Sequence, residues 1–475
     1  MRKVCFALIL LLCCAFVSAQ TVQRLTHQPP DGAGIGFQLT DGTLIFQGNA
    51  ETDWWKLTPD NTGSYLNGTW SQMASLASNY EPDAFASAVL ADGRVIIEGG
   101  EYDFGVFALT NQGSIYDPVK NTWTPVAPPP GWSFIGDSPA LVIPNGNFVI
   151  GQKITEKLAM LNPKTMTWTQ LNPTGKADFN AEEGWTLLPN GNILTADVKD
   201  APNSEIYNFS EHQWVSAGST IVDLHSPSPY GCLPYGPGGK YCYYPPGEIG
   251  PAILRPDGTV FATGSTPQGG TSGNTSVYDT NTGIWTPGPS FPRGEDAGDS
   301  FAVLLPSGDV LVEAESGNSY VFDGTNLTKG PATPGSLIVL PTGQVLVGGG
   351  PTEIYTPTGT YDQAWAPTIS RYPTTVVRGS TYQIGGTQFN GLSQAASFGD
   401  EFQTATNYPL VRITNSSSGH VFYARTHDHS TMAVATGSKV VFTHFDVPAS
   451  METGPSTLEV VANGIPSTPV NITVN

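Results

Sequence analysis

Short apolar runs alternate with small polar turns along most of this chain, and one unit keeps returning. An apolar strand, a turn and a second apolar strand appear as GFQLTDGTLIFQG, SAVLADGRVIIEGG, ALVIPNGNFVIG and WTLLPNGNILTA. The unit continues as PAILRPDGTVFATG, AVLLPSGDVLVEA and LIVLPTGQVLVGGG; the seven turns fall at Asp41, Asp92, Asn145, Asn190, Asp257, Ser307 and Thr342. Asp-Gly and Asn-Gly between β-type runs predict tight two-residue hairpins, because Gly and Asn tolerate positive φ. Most units then add a strand, a turn and a strand opened by Trp, at Trp70, Trp123, Trp168, Trp214 and Trp285. Four strands per unit at roughly 40–50 residues is the spacing of a kelch-type β-propeller. Seven units predict seven blades, and a Trp recurring at one position predicts packing between blades.

A closed ring leaves no strand edge unpaired. The seventh unit lacks a clear fourth strand, and either VQRLTHQPP (residues 22–30) or YDQAWAP (residues 361–367) could supply it. Beyond Pro367 the unit disappears, and short alternating strands over residues 368–475 predict an Ig-like β-sandwich. The fold expected is all-β: a signal segment over 1–19, a seven-bladed kelch-type propeller over 20–367 and a C-terminal sandwich.

The first segment changes how the rest is read. Arg2 and Lys3 precede VCFALILLLCCAFV and then Val17-Ser18-Ala19, the arrangement of a signal peptide cleaved after Ala19. Export makes the mature protein extracellular or periplasmic, with no membrane insertion. Of five cysteines, only Cys232 and Cys242 would remain; flanking LPYGPGGKY in an oxidising compartment, they predict one local disulfide. The 20 Lys+Arg stand against 40 Asp+Glu, a net charge of −20, and cleavage removes two of the cations. That balance excludes nucleic acid as a partner and favours a glycan or a small cationic ligand, bound by a monomer.

The acids are not scattered. One precedes each hairpin where the chain enters the innermost strand of a blade: Asp31, Asp83, Asp137, Glu182 or Glu183, Glu248 and Asp299; the seventh blade has Pro334-Gly335. Loops returning to the same face carry Glu51, Asp53, Glu101, Asp103, Glu313 and Glu315. An acidic rim around the channel mouth is expected, with Asp83, Glu101, Asp137, Glu183, Glu248, Asp299 and Glu313 as ligand-binding candidates. Crowded carboxylates raise one another's pKa, and the neighbouring Trp54, Trp55, Tyr102, Trp132 and Trp185 suit sugar rings. A second constellation is GHVFYARTHDHSTM: on a strand, His427 and His429 would share a face, and with His420 they are candidate ligands for a divalent metal. No G-x-S-x-G, H-E-x-x-H, P-loop or dinucleotide fingerprint occurs.

With DGRVIIEGG and VYDTNTGIWTPGPSFPRGED in the repeats, and NYPLVRITNSSSGH followed by FDVPASMETGPSTLEVVANGIPS after them, the chain resembles the galactose oxidase and glyoxal oxidase family. The resemblance spans nearly the whole mature chain and implies a propeller followed by an Ig-like early-set domain. It also implies a copper–radical site of a Cys cross-linked to a Tyr, an axial Tyr, a neighbouring His and a His from the terminal domain. Here DAFAS (residues 83–87) stands where the cross-linked Tyr belongs, and Gly298-Asp299 or Pro334 where the Tyr-His pair belongs. Neither mature cysteine precedes a blade, and only His420, with His427 as rival, matches the terminal His. The sequence therefore favours a secreted binding protein with an acidic mouth over a copper–radical enzyme; an oxidoreductase or other metalloenzyme with a differently built site is the alternative.

Overall fold

The computed structural model describes residues 20–227, 231–235, 239–243 and 247–475. The segment expected to be a signal peptide lies outside these residues. Six blades follow one another in chain order, each an antiparallel meander of four strands, the sixth taking a fifth strand from the terminal domain. The first is Gly36–Gln38, Leu44–Gln47, Trp54–Thr58 and Thr69–Gln72; the third is Ala140–Val142, Phe148–Gly151, Leu158–Asn162 and Thr167–Leu171. Inner strands are buried throughout, whereas outer strands such as Thr122–Pro125 are mostly exposed. That gradient fits sheets arranged radially, their inner strands packed on both faces.

Seven blades result, and the seventh is built from both ends of the propeller. Thr21–Arg24 pairs with Glu353–Thr356 in register Thr21↔Thr356 to Arg24↔Glu353, beside Val345–Val347 and Leu337–Val339. Residues 363–365 instead form a 3-10 turn capped by Asp362. Each hairpin turn differs in detail from the two-residue form expected. Gly42 N–H donates to Leu39 C=O, Leu39 N–H to Thr43 C=O, and only the glycine is left-handed (φ 75°). This is a type I turn closed by a left-handed Gly. The Asp serves as acceptor: Asp41 takes Thr43 N–H, as Asp92 takes Arg94 N–H and Asp257 takes Thr259 N–H.

Four of the five recurring tryptophans join blades through the indole N–H, Trp214 being the exception. Trp123 Nε1 donates to Ala74 C=O of the blade before it, Trp168 to Ala127, Trp285 to Ser204 Oγ, and Trp70 to His27. Between the fourth and fifth blades, Gly231–Tyr235 pairs with Gly239–Tyr243, and the register sets Cys232 opposite Cys242. Their side chains, and so the expected disulfide, lie outside the described residues.

The terminal sandwich has two sheets facing one core of Ile384, Val441 and Phe445 against Val411, Leu458 and Ile472. Val421–His427 belongs to both, pairing with Leu410–Asn415 through Ala424 and with Val441–Asp446 from Arg425. The sandwich sits on the hairpin-turn face: Met432 N–H donates to Pro144 C=O, and Thr426 N–H to Thr40 C=O. One of its segments leaves it for the propeller axis. Ala396–Ser397 pairs with the innermost strand of blade six, Gln394 Oε1 accepts Leu187 N–H of blade four, and Gln403 Oε1 accepts Ser87 N–H of blade two. Only a segment on the axis can touch the innermost strands of three separated blades. Among the described residues no helix is long and apolar enough to cross a membrane.

Candidate functional site: a carboxylate ring around a buried lysine

Where the chain enters an innermost strand, every blade places one residue at positive φ: Gly32, Ala84, Gly136, Glu182, Gly247, Asp299 and Gly335. In a bulky residue this conformation is costly, and it concentrates at functional sites. In blades three to six it tips the lead-in segment so that one side chain at or next to the kink, Asp137, Glu182, Glu248 or Asp299, faces the axis. Gly136 is required, because a Cβ would lie 2.9 Å from Leu109 Cδ2 and 3.1 Å from Lys153 Cβ.

Lys153 follows the second strand of blade three and is fixed at its backbone by Ile135 C=O. Its side chain is only 2% exposed. Its ammonium rests on Asp137, on Glu182 Oε1 at 2.9 Å and on Glu101 Oε1 at 3.5 Å. From the other side comes the tip of the axial segment, Gly399-Asp400-Glu401-Phe402. Phe398 packs on Phe301 (4.7 Å) and Phe402 on Phe85 (5.3 Å), and Phe402 N–H donates to Phe85 C=O. Gly184 admits the tip, since a Cβ there would lie 2.2 Å from Gly399 O.

The tip brings two more acids to an acidic ring. Asp137, Glu182 and Asp400 each offer an oxygen, all within 4.8 Å of one another. Asp400 Oδ1 accepts Glu401 N–H, whereas its buried Oδ2 has no amide or hydroxyl donor. What Asp400 meets besides Lys153 are the carboxyls of Glu182 and Glu401, contacts that hold only if those carboxyls carry protons. Burial pushes Glu182 and Glu401 well above the usual carboxylate range. Burial opposes ionisation of Asp400 too, but the hydrogen bonds from Glu401 and Glu182 and the Lys153 ammonium outweigh it and hold it low. Asp137 is raised by burial against the pull of Lys153, and its Oδ1 is likewise without a donor. Farther round, Glu248 and Asp299 hydrogen-bond to each other. Burial, then the charges of Asp299 and Asp400, lifts Glu248 to about 9; burial, then Asp400, lifts Asp299 to about 6. Asp299 is open to solvent even so, at the edge of the ring. One ammonium serves the whole group, and shared protons hold the rest together.

The seven rim candidates divide. Glu101, Asp137, Glu248 and Asp299 join the ring. Glu183 does not: the kink at Glu182 turns its neighbour into the body of blade four, where Lys176 Nζ lies 2.8 Å from both Glu183 and Glu205 and 5.2 Å from the Trp214 ring. Asp83 stands apart with Glu51, which burial, Asp83, Glu81 and Asp103 lift to about 7. Glu313 accepts Gly335 N–H and is lifted to about 7 by burial. Lys153, Asp400 and Glu401 were missed. The adjacent acids in SFGDEF, inside an apolar stretch of the terminal domain, were the available signal.

The histidines do not converge. Asp428 is left-handed (φ 51°), which breaks the alternation expected to align its neighbours. His427 stacks on His444 (5.8 Å) and bonds Asp428 and Asp446, whereas His429 bonds Thr443, whose side chain points to the opposite face of the same strand. His429 is buried, and desolvation pushes it down to about 3. His420 is tied to Glu452 and Asn61. Asp137, Glu182 and Asp400 are the one group of three or more such ligands gathered closely enough for a metal among the described residues.

That donor set is all oxygen and suits a hard cation. It does not suit copper: the ring contains no Tyr, Cys or His, and Lys153 already holds two of the three carboxylates. Trp54, Trp132 and Trp185 are buried, leaving Tyr102 as the well-exposed aromatic of those expected to stack on sugars.

No family model matches the chain, and no curated protein does. Solved structures are similar in form. A fungal alcohol oxidase of the AA5 family in complex with copper is 14% identical over 97% of this chain and 100% of its own, with a TM-score of 0.49. A streptogramin B lyase is 12% identical over 72% of this chain and 97% of its own (TM-score 0.47), and a virginiamycin B lyase from Staphylococcus aureus 10% identical over 71% and 97% (TM-score 0.46).

Proposed function

We propose that this protein is a binding propeller, exported from the cell, whose carboxylate ring takes up a cationic ligand. The observation that carries this reading is the charge imbalance: Glu101, Asp137, Glu182, Glu248, Asp299, Asp400 and Glu401 face one ammonium, Lys153. Two carboxylates 4 Å apart repel by about 4 kcal/mol at an effective dielectric of 20. The ring relieves this by retaining protons, and a bound cation relieves it by replacing them. Exposed Asp299, paired with Glu248, is where such a ligand first meets the ring. The buried tryptophans weigh against a glycan at the mouth, and the carboxylate donor set weighs against copper chemistry.

Isothermal titration of the full mature chain with spermidine, at pH 6 and pH 8, tests the reading. Binding should be tighter at pH 8, where fewer protons compete, should weaken with salt, and should drop about tenfold in D299N. Glucose serves as the neutral control. No binding of spermidine at either pH, or binding that D299N and salt leave unchanged, sinks the reading. Terminal sequencing of secreted material, expected to start at Gln20, tests export.

A further inference from the structure

Beside the ring stands a feature that the fold does not explain. After the second strand of blade two, Tyr102–Asp103 and Val106–Phe107 form a short finger, with Tyr102 opposite Phe107. Its turn passes through Phe104 (φ 54°) and Gly105 (φ 65°). Two successive left-handed residues suit Asn-Gly or Gly-Gly, and a bulky aromatic there is an outlier. Packing does not account for it: Phe104 is 48% exposed, Val106 66% and Tyr102 38%. The finger is nonetheless firmly rooted. Phe107 meets Tyr102 edge-on at 6.1 Å and packs on a small cluster of Leu109, Phe134 and Ile154.

The finger is also wired to the ring. Glu101, the residue before it, reaches Lys153 Nζ at 3.5 Å, and Tyr102 hydrogen-bonds Glu101. Phe104 is thus a strained aromatic exposed to water, three residues along the chain from Glu101 of the ring, and strain of this kind concentrates at functional sites.

We propose that the finger and the carboxylate ring form one docking surface for a basic peptide segment. The ring receives a Lys or Arg side chain, while Phe104 and Tyr102 cover an apolar side chain close to it in the partner's sequence. Charge complementarity selects the cation, and Lys153 shows that the ring accommodates an ammonium. Reach selects a peptide: Glu101 lies at the root of the finger and Phe104 in its turn, up to about 10 Å apart along the chain, a span that a metal ion or a lone ammonium cannot bridge. This inference rests on the reading of the ring as a cation site, and it adds the class of ligand.

The test measures fluorescence anisotropy of two labelled five-residue peptides against the full mature chain. One carries a central lysine flanked by leucines, the other the same lysine flanked by glycines, and spermidine is titrated in parallel. The leucine-flanked peptide should bind at least fivefold more tightly, and F104G should abolish that preference. F104G relieves the left-handed strain, so the variant should fold, and its thermal midpoint verifies this. Equal binding of the two peptides to the wild type overturns the inference, as does a preference that survives F104G. Binding of spermidine without either peptide also overturns it while leaving the cation site standing. Failure of spermidine as well overturns both.

Discussion

Replacing Lys153 by Met should be the most damaging single change at the mouth, and the damage should depend on pH. Met keeps most of the stem and removes the charge. The ammonium is buried and touches Asp137, Glu182 and Glu101. Removing one partner of a buried ion pair costs about 3–5 kcal/mol, because the other charge is left uncompensated. That figure applies near pH 8, where Asp400 and Asp137 would face Glu182 with no cation. Near pH 5 the orphaned carboxyls can protonate, and the loss should fall to about 1–2 kcal/mol, the cost of unsatisfied neutral groups. Lys153 itself is not the source of the difference. Burial alone would lower its pKa, but the carboxylates of Asp137, Glu182 and Glu101 raise it, so its contribution is complete below the unfolded lysine value and is lost only above that. The carboxyls are the source. Raised groups such as Glu182 and Glu401 bind more protons folded than unfolded, so stability falls as pH rises above the ordinary carboxylate range. Thermal unfolding followed by circular dichroism at pH 5 and pH 8, for wild type, K153M and K153M/D137N, reads this directly. The double variant should recover much of the loss at pH 8. An equal loss at both pH values, with no recovery from D137N, would refute the electrostatic reasoning and leave Lys153 as packing.

Three further outcomes follow from the same geometry. E248Q supplies permanently the neutral partner that Asp299 obtains from a proton, so it should match wild type near the ordinary carboxylate range and gain on it steadily up to about pH 9, in the same unfolding scans. E182Q should weaken spermidine binding about tenfold, whereas E183Q should leave the affinity unchanged and lower stability by about 3 kcal/mol as Lys176 loses a partner; titration and unfolding separate the two. G136A should cost about 1–2 kcal/mol for the left-handed strain alone, and its crowding of Lys153 should show as weaker spermidine binding.

The repeat was legible because its physics is local. A strand pattern, a Gly-closed turn and a Trp at one register position repeat whatever the neighbours are. Half the site was legible for the same reason, since Asp137, Glu248 and Asp299 sit at corresponding positions of their blades. The choice between Glu182 and Glu183 was not, because it hangs on one left-handed residue, and neighbouring side chains then diverge. Lys153 carried no positional signal, being a single lysine in a loop that differs from blade to blade. Asp400 and Glu401 come from another domain, and only the three-dimensional path of the axial segment brings them to the ring. The histidines misled because alternation was assumed across Asp428, where the backbone stops alternating.

The pairing of Thr21–Arg24 with Glu353–Thr356 sets an order of events for a chain that is made from one end. The strand that seals the ring is the first part of the propeller to be synthesised, and its partner is nearly the last. Until residue 356 is available, the early strand has no place to go, and every shorter chain exposes an open edge able to pair with another. Completion of the seventh blade therefore works as a length check: a truncated product cannot hide its edge, and a full-length one does so in a single step. Anything fused directly ahead of Thr21 would burden that step.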